Sequence, residues 1–178
     1  MPVRSLTDLL LRWWLRSGRG GWSRCHRRVF ERKYLKTTLP SVNSLEDIEA
    51  ALMQITWTGD GPLYLYDCIS YAQTTWANKK DDCDGFASLA AELLNRWSPD
   101  KAPVLLTAGV RPAAASHTVC VFRREWGDLG FFDNDKLRIE GCRTCAEIVA
   151  KIASNGKRLV CWDLKDPATL KTVEFHRP

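Results

Sequence analysis

The sequence predicts one α+β domain, and three features of the 178-residue chain support this class. Helical patterns dominate the first half, β-branched and aromatic runs dominate the second, and a short hairpin-like stretch, REWGD, joins two of those runs. Segregated helices and strands favour α+β over a doubly wound α/β domain, in which the two alternate. The length suits one core, expected at residues 37–178, with an appended arm at residues 1–36.

The arm is predicted to be helical and basic. In SLTDLLLRWWLR, residues 5–16, Leu and Trp recur at helical spacing, with Ser5 as N-cap and SGRGG ending the element. Residues 1–36 carry ten Lys and Arg against two acids, so the rest of the chain, with sixteen against nineteen, is slightly acidic. Such an arm could hold nucleic acid, an anionic membrane or an acidic partner protein. Alternatively, its Leu/Trp face packs on the domain and its arginines are solvated.

The chain is expected to work in the cytoplasm. No apolar run reaches the length of a membrane span. The best signal-peptide candidate, LTDLLLRWWL, is interrupted by Asp8 and Arg12 and has no small-residue cleavage site behind it. Seven scattered cysteines, an odd number, fit mostly free thiols in a reducing compartment.

Between the arm and the central helix, the pattern predicts a linker, one short helix and a turn. Residues 37–43 form the linker, and Ser44 caps the helix. One face of that helix is apolar: Ile48, Ala51, Leu52 and Ile55. TGDGP at residues 58–62 predicts a turn, and residues 63–78 show no clean period.

A helix with one face committed to the core follows in KKDDCDGFASLAAELLNRW, residues 79–97. Its apolar positions have helical spacing: Phe86, Leu89, Ala90, Leu93, Leu94 and Trp97. Asp81 or Asp82 is the natural N-cap, which places Cys83 in the first turn.

The second half predicts an antiparallel sheet. Strands are expected at residues 104–110, 116–124, 129–134 and 158–164, and a helix at 143–157 precedes the last strand.

Cys83 is the first candidate for chemistry. Unpaired N–H groups and the positive end of the helix dipole stabilise a thiolate there, and Gly85 would leave room for a substrate beside the sulfur. The flanking aspartates oppose this effect, because their charge raises the thiol pKa. A buried structural cysteine and a metal ligand are the alternatives, but zinc would need further ligands that the sequence does not offer at suitable spacing.

His117 and Asp133 are the candidate partners of Cys83. Only three histidines are present, and His117 begins a predicted strand whereas the other two lie near the chain ends. Asp133 ends the next predicted strand, so an antiparallel pair would bring the two side by side. Asn134 is an alternative orienting residue and Asp135 a weaker one, and DND could equally be a turn.

DDCDGFA opens an apolar helix, a histidine follows on a strand, and the next strand ends in an aromatic residue, Asp and Asn. In this order of its motifs, the sequence resembles the transglutaminase-like, papain-fold cysteine hydrolases. The similarity is to short bacterial and phage-encoded members, whose motif is commonly GDCDDFA, and it covers residues 60–135. It implies a papain-like fold with Cys83 as nucleophile, His117 as base and acid, and Asp133 as the orienting residue. Asp82 stands where glycine is usual, which would crowd the oxyanion site or narrow the substrate range.

By this resemblance, Cys83 would attack an amide carbonyl, in a peptide or protein substrate, to form a thioester. The oxyanion would be held by the Cys83 N–H and one further donor, for which Trp76, Asn78 and Gln73 are candidates. The chemistry requires no metal and no cofactor, and no acidic loop implies calcium. The alternative is an inactive scaffold that binds a partner through its arm.

A redox or zinc role for Cys142-x-x-Cys145 is a minor alternative. The spacing is that of a thioredoxin-like pair, but the surrounding pattern is not a βαβ unit and no second pair of ligands exists.

Overall fold

A computed structural model describes residues 6–59, 68–154 and 156–178. Its centre is a six-stranded antiparallel sheet in the order β6-β5-β4-β3-β7-β8, which confirms the α+β class. The strands of this sheet are β3 (Val104–Arg111), β4 (His117–Arg123), β5 (Leu129–Asp133), β6 (Lys136–Cys142), β7 (Arg158–Lys165) and β8 (Thr172–His176). Two short parallel strands, β1 (Thr56–Trp57) and β2 (Lys80–Asp81), pair separately.

Helices cover both faces of the sheet. They are α1 (Leu6–Trp13), α2 (Arg19–His26), α3 (Leu45–Leu52), α4 (Ala72–Asn78), α5 (Cys83–Trp97) and α6 (Cys145–Ile152). The predicted caps of α3 and α5 are confirmed, because the side chains of Ser44 and Asp82 accept backbone N–H groups in the first turns. Ser5 and most of the predicted turn at residues 58–62 lie outside the described residues.

Alternating side chains divide the core between the two sheet faces. On β4, Cys120 and Phe122 pack with α3, α4 and α5, whereas Val119 and Val121 pack with α6 on the opposite face. The buried face predicted for α5 is observed, with Phe86 and the following apolar residues largely inaccessible to solvent. The core therefore packs α5 directly against β4.

The arm packs along this core. Right-handed helical backbone continues from α1 through a π-helical turn (Trp14–Gly18) to α2 and a second π-helical turn (Arg27–Glu31), and a 3₁₀ turn (Arg32–Lys36) ends the arm. Five of its buried residues recur every fourth position: Leu15, Arg19, Ser23, Arg27 and Glu31. None of the described helices is both long and apolar enough to cross a membrane.

The packed alternative, in which the Leu/Trp face packs on the domain and the arginines are solvated, holds only in part. Leu11, Trp14 and Leu15 pack on the domain. Leu6 and Trp13 are more than half exposed, whereas Arg19 and Arg27 are buried. Arg27 donates to the carbonyl oxygens of Ile69 and Ser70, and Arg19 pairs with buried Asp84. These two arginines are therefore anchors of the fold, whereas the other described arginines of the arm are exposed or half-buried.

Replacing Arg19 with methionine should destabilise the protein strongly. The substitution leaves the Asp84 carboxylate buried without its cation, a loss that typically costs about 3–5 kcal/mol. Urea denaturation of Arg19→Met measures it, with Arg28→Met as the matched control because Arg28 is an exposed arm residue. The control should stay within about 0.5 kcal/mol of the parent chain.

A second variant separates charge from packing. Adding Asp84→Leu to Arg19→Met removes the orphaned charge and should restore part of the lost free energy of unfolding. Equal stability of Arg19→Met and Arg28→Met would refute the anchoring role.

Candidate functional site

Three chain elements converge at one end of the sheet. Cys83 is the first residue of α5, His117 the first of β4 and Asp133 the last of β5. Cys83 and His117 line the same two cavities, one of about 420 Å³ and one of about 630 Å³. Asp133 borders the larger cavity. The structure therefore gathers the predicted nucleophile and its two predicted partners around shared space.

His117 and Asp133 form a hydrogen-bonded pair. The His117 Nε2 and Asp133 Oδ1 atoms are 2.7 Å apart across neighbouring antiparallel strands. The hydrogen bond with the His117 imidazole holds the pKa of the Asp133 carboxyl below its usual value, so Asp133 is a carboxylate at neutral pH. Because Nε2 faces Asp133, Nδ1 is the ring nitrogen left to exchange a proton elsewhere.

Asn134 lies in the turn that joins β5 to β6. Its φ of 53° is left-handed, and the flanking Asp133 and Lys136 pair across the hairpin. Asn134 also borders the larger cavity, but its Oδ1 atom has no hydrogen-bond partner among the described residues. Of the two candidates for orienting His117, Asp133 is the one in contact with the ring.

Cys83 is a free, half-buried thiol. Its Sγ atom lies 3.8 Å from Asp84 Oδ1, and the backbone N–H of Thr118, the neighbour of His117 on β4, lies close enough to favour the thiolate. Desolvation raises the pKa of the thiol well above its usual value, and the charges of Asp84 and Asp82 raise it further. Arg19 and the Thr118 N–H act in the opposite direction but do not outweigh them, so the resting group is a thiol.

The two aspartates beside Cys83 have separate structural partners. Asp82 Oδ1 accepts the Asp84 N–H at 3.1 Å, which caps α5. The Asp84 carboxylate pairs with Arg19, whose guanidinium also donates to Thr107 and Thr118. The arm therefore supplies a positive charge beside the first turn of α5.

Asp82, Cys83 and Asp84 place ligand atoms within 4.8 Å of one another. These are the types of atoms that could hold a metal ion. However, Arg19 already neutralises Asp84 and the helix start already uses Asp82. The donor set is therefore committed to the fold.

The expected role of Gly85 is wrong in detail. A Cβ atom at Gly85 would overlap the carboxyl group of Asp81, so the missing side chain makes room for Asp81 and not for a substrate. Burial raises the pKa of Asp81 to about 6, although Thr75 Oγ1 donates to the carboxylate at 2.6 Å and partly offsets that effect. Gly85 thus serves the packing of Asp81 against the first turn of α5.

The proposed side-chain donors for an oxyanion do not lie on either cavity that Cys83 borders. Gln73 lines a different cavity beside Arg27 and Tyr71, and Trp76 packs on the core under Lys79. Asn78 is exposed at the end of α4. Of the proposed oxyanion donors, the Cys83 backbone N–H at the helix start remains suitably placed.

Sequence reasoning missed the residues that wall the smaller cavity. Leu11, Trp14 and Leu15 come from the arm, and Ala113 and Ala114 come from the 3₁₀ turn (Ala113–Ala115) between β3 and β4. One signal in the sequence could have revealed that the arm packs on the domain. Leu15, Arg19 and later arm residues recur at intervals of four residues, the spacing of one buried helix face.

Cys142 ends β6 and Cys145 begins α6, and both pack in the core on the α6 face of the sheet. Burial raises the pKa of both thiols, which disfavours the thiolate that redox exchange requires.

Compared with known proteins, the chain matches no family model and no curated protein sequence.

Replacing Asp82 with asparagine should lower the pKa of Cys83. Asparagine caps helices as well as aspartate does, and it removes one of the negative charges that oppose the thiolate. The iodoacetamide rate of Cys83, followed against pH by mass spectrometry of the labelled peptide, should therefore begin to rise at lower pH than in the parent chain.

Asp100→Asn is the control, because Asp100 lies after the far end of α5. It should leave the pH profile of Cys83 unchanged. An unshifted profile in Asp82→Asn would show that Asp82 does not control the thiol.

Proposed function

We propose that this chain is a thiol-dependent hydrolase or acyltransferase that acts on an amide, in a peptide or protein, through a thioester. Its class would be the transglutaminase-like, papain-fold cysteine hydrolases that the sequence motif resembles. The single observation that carries the proposal is the His117–Asp133 hydrogen bond of 2.7 Å beside cavities that Cys83 shares with His117. The reducing compartment suited to a free thiol nucleophile is the cytoplasm.

The proposed first step couples proton transfer to attack. Because the pKa of Cys83 is raised, the thiol must lose its proton to His117 as sulfur attacks the carbonyl carbon. Asp133, a carboxylate, stabilises the resulting imidazolium and fixes the ring. The Cys83 backbone N–H, at the start of α5, would donate to the oxyanion.

The later steps use the same groups. The imidazolium of His117 protonates the departing amine, the carbon–nitrogen bond breaks, and the acyl group remains on Cys83 as a thioester. Water or a second amine, deprotonated by His117, then attacks the thioester and releases Cys83 as a thiol. Hydrolysis and transfer differ only in that second nucleophile.

Selective alkylation tests the proposal. Removing the base in His117→Ala should slow iodoacetamide modification of Cys83 about tenfold or more, because a positioned base contributes at least that much to thiol reactions. His176→Ala is the matched control, since His176 is an exposed histidine on β8. Mass spectrometry of the modified peptides gives both rates, with exposed Cys25 as an internal reference.

The enzyme proposal fails if His117→Ala leaves the modification rate of Cys83, measured relative to that of Cys25, unchanged. Loss of any peptide-amide cleavage or transfer in Cys83→Ser, with the fold retained by circular dichroism, would support it.

A second candidate function is membrane binding through the arm, with the fold serving as a scaffold. The observation that favours it is the apolar face of α1, where Leu6, Leu9, Leu10 and Trp13 are 48–71% exposed. Exposed cations follow along the arm: Arg16, Arg24, Arg28, Arg32, Lys33 and Lys36. Apolar exposure beside positive charge suits an anionic lipid surface better than nucleic acid, which needs no apolar face.

Vesicle sedimentation tests this candidate. The full chain should bind vesicles of equal parts phosphatidylcholine and phosphatidylserine. The double variant Leu6→Ser, Leu10→Ser should bind them more weakly, because it has less apolar surface to insert into the lipid. Val173→Ser is the control, since Val173 is equally exposed but lies on β8. Equal binding by all variants, or salt-sensitive binding to nucleic acid alone, would exclude the lipid role.

A further inference from the structure

The smaller cavity beside Cys83 has apolar walls from two distant parts of the chain. The arm contributes Leu11, Trp14 and Leu15, and the turn before β4 contributes Ala113 and Ala114. Its volume of about 420 Å³ falls in the usual range for small-molecule pockets, about 300–1,000 Å³. An apolar cavity of about 150 Å³ already accepts benzene, so this one has room for a larger apolar group.

The polar groups at this cavity are already engaged with one another. Arg19 pairs with Asp84 and donates to Thr107 and Thr118, and Ser116 Oγ accepts the Val110 N–H at 3.1 Å. Asp82 caps α5. A ligand would therefore meet hydrocarbon walls, with the Cys83 sulfur and the His117 ring at one edge.

The larger cavity differs in chemistry although it shares Cys83 and His117. Its outer walls carry charged side chains, among them Arg138, Glu140, Lys151 and Lys157. A substrate that spans the site would place its apolar part toward the arm and its polar part toward these residues. The two cavities together would therefore fix the orientation of a bound substrate.

We propose that the arm-walled cavity binds an apolar group, an alkyl or aromatic side chain, attached close to the carbonyl that Cys83 attacks. This inference rests on the proposed function for the identity of the attacked carbonyl, and it deepens that function by defining the substrate as apolar at this position. The arm is then part of the substrate site as well as part of the fold.

Binding without chemistry tests the cavity. In Cys83→Ser, N-hexylacetamide should bind about tenfold or more tightly than N-(2-hydroxyethyl)acetamide, since each buried methylene adds favourable free energy. Nuclear magnetic resonance shifts of the Trp14 indole and the Thr118 amide report the site of binding.

Two substitutions in one turn provide a matched pair. Ala113→Phe fills the arm-walled cavity and should weaken hexyl binding about tenfold, whereas Ala115→Phe points to the larger cavity and should leave it unchanged. Equal affinity for the two amides, or hexyl binding that survives Ala113→Phe, would overturn the inference.

The two proposals fail separately. If Cys83→Ser binds the hexyl amide but alkylation of Cys83 in the parent chain does not depend on His117, the enzyme proposal is refuted and the apolar binding site is retained. His117-dependent alkylation without preference for the hexyl amide would do the reverse.

Discussion

The buried ion pair between Arg19 and Asp84 is the contact on which the architecture of the site depends. Arg19 belongs to the arm and Asp84 directly follows Cys83 at the start of α5. The same guanidinium donates to Thr107 on β3 and Thr118 on β4, so one side chain links the arm, α5 and the central sheet. Burying such charges is costly unless they are fully paired, which makes the docked arm a condition for the local fold around Cys83.

The same pair sets the electrostatic balance at the sulfur. Desolvation, Asp84 and Asp82 all raise the pKa of Cys83, and Arg19 is the cation that reduces this effect. A second buried pair, Lys165 with Asp163 at 2.6 Å, is held to the arm because Lys165 Nζ also donates to the Leu15 carbonyl. Through Arg19, the arm thus brings one positive charge close to two buried carboxyl groups, those of Asp84 and Asp163.

Much of the fold followed from local patterns, whereas the arm's orientation did not. Helix α5, the cap at Asp82 and the strands around His117 have periods and caps that residues nearby in sequence determine. The His117–Asp133 contact followed from adjacent antiparallel strands. Arg19 and Arg27, by contrast, look like solvated charges until Asp84 and the Ile69 carbonyl, 65 and 42 residues away, are placed beside them. The sequence of α4 shows no clear hydrophobic period. The two-residue strands β1 and β2 form only by pairing with each other, so neither has a local signal.

The acidic flanks of Cys83 raise the question of whether a disfavoured thiolate is compatible with catalysis. A thiol with a raised pKa is a weak nucleophile at rest but a stronger one once its proton departs, because intrinsic nucleophilicity rises with basicity. Such a thiol needs a base that accepts the proton during attack, and the ring nitrogen of His117 left open by the Asp133 bond suits that role. An apolar group in the arm-walled cavity would also displace water from beside the sulfur, which strengthens every charge interaction there. If the proposed mechanism holds, the aspartates would make the reactivity of Cys83 depend on a bound substrate and on His117, and the thiol would stay unreactive in the empty site.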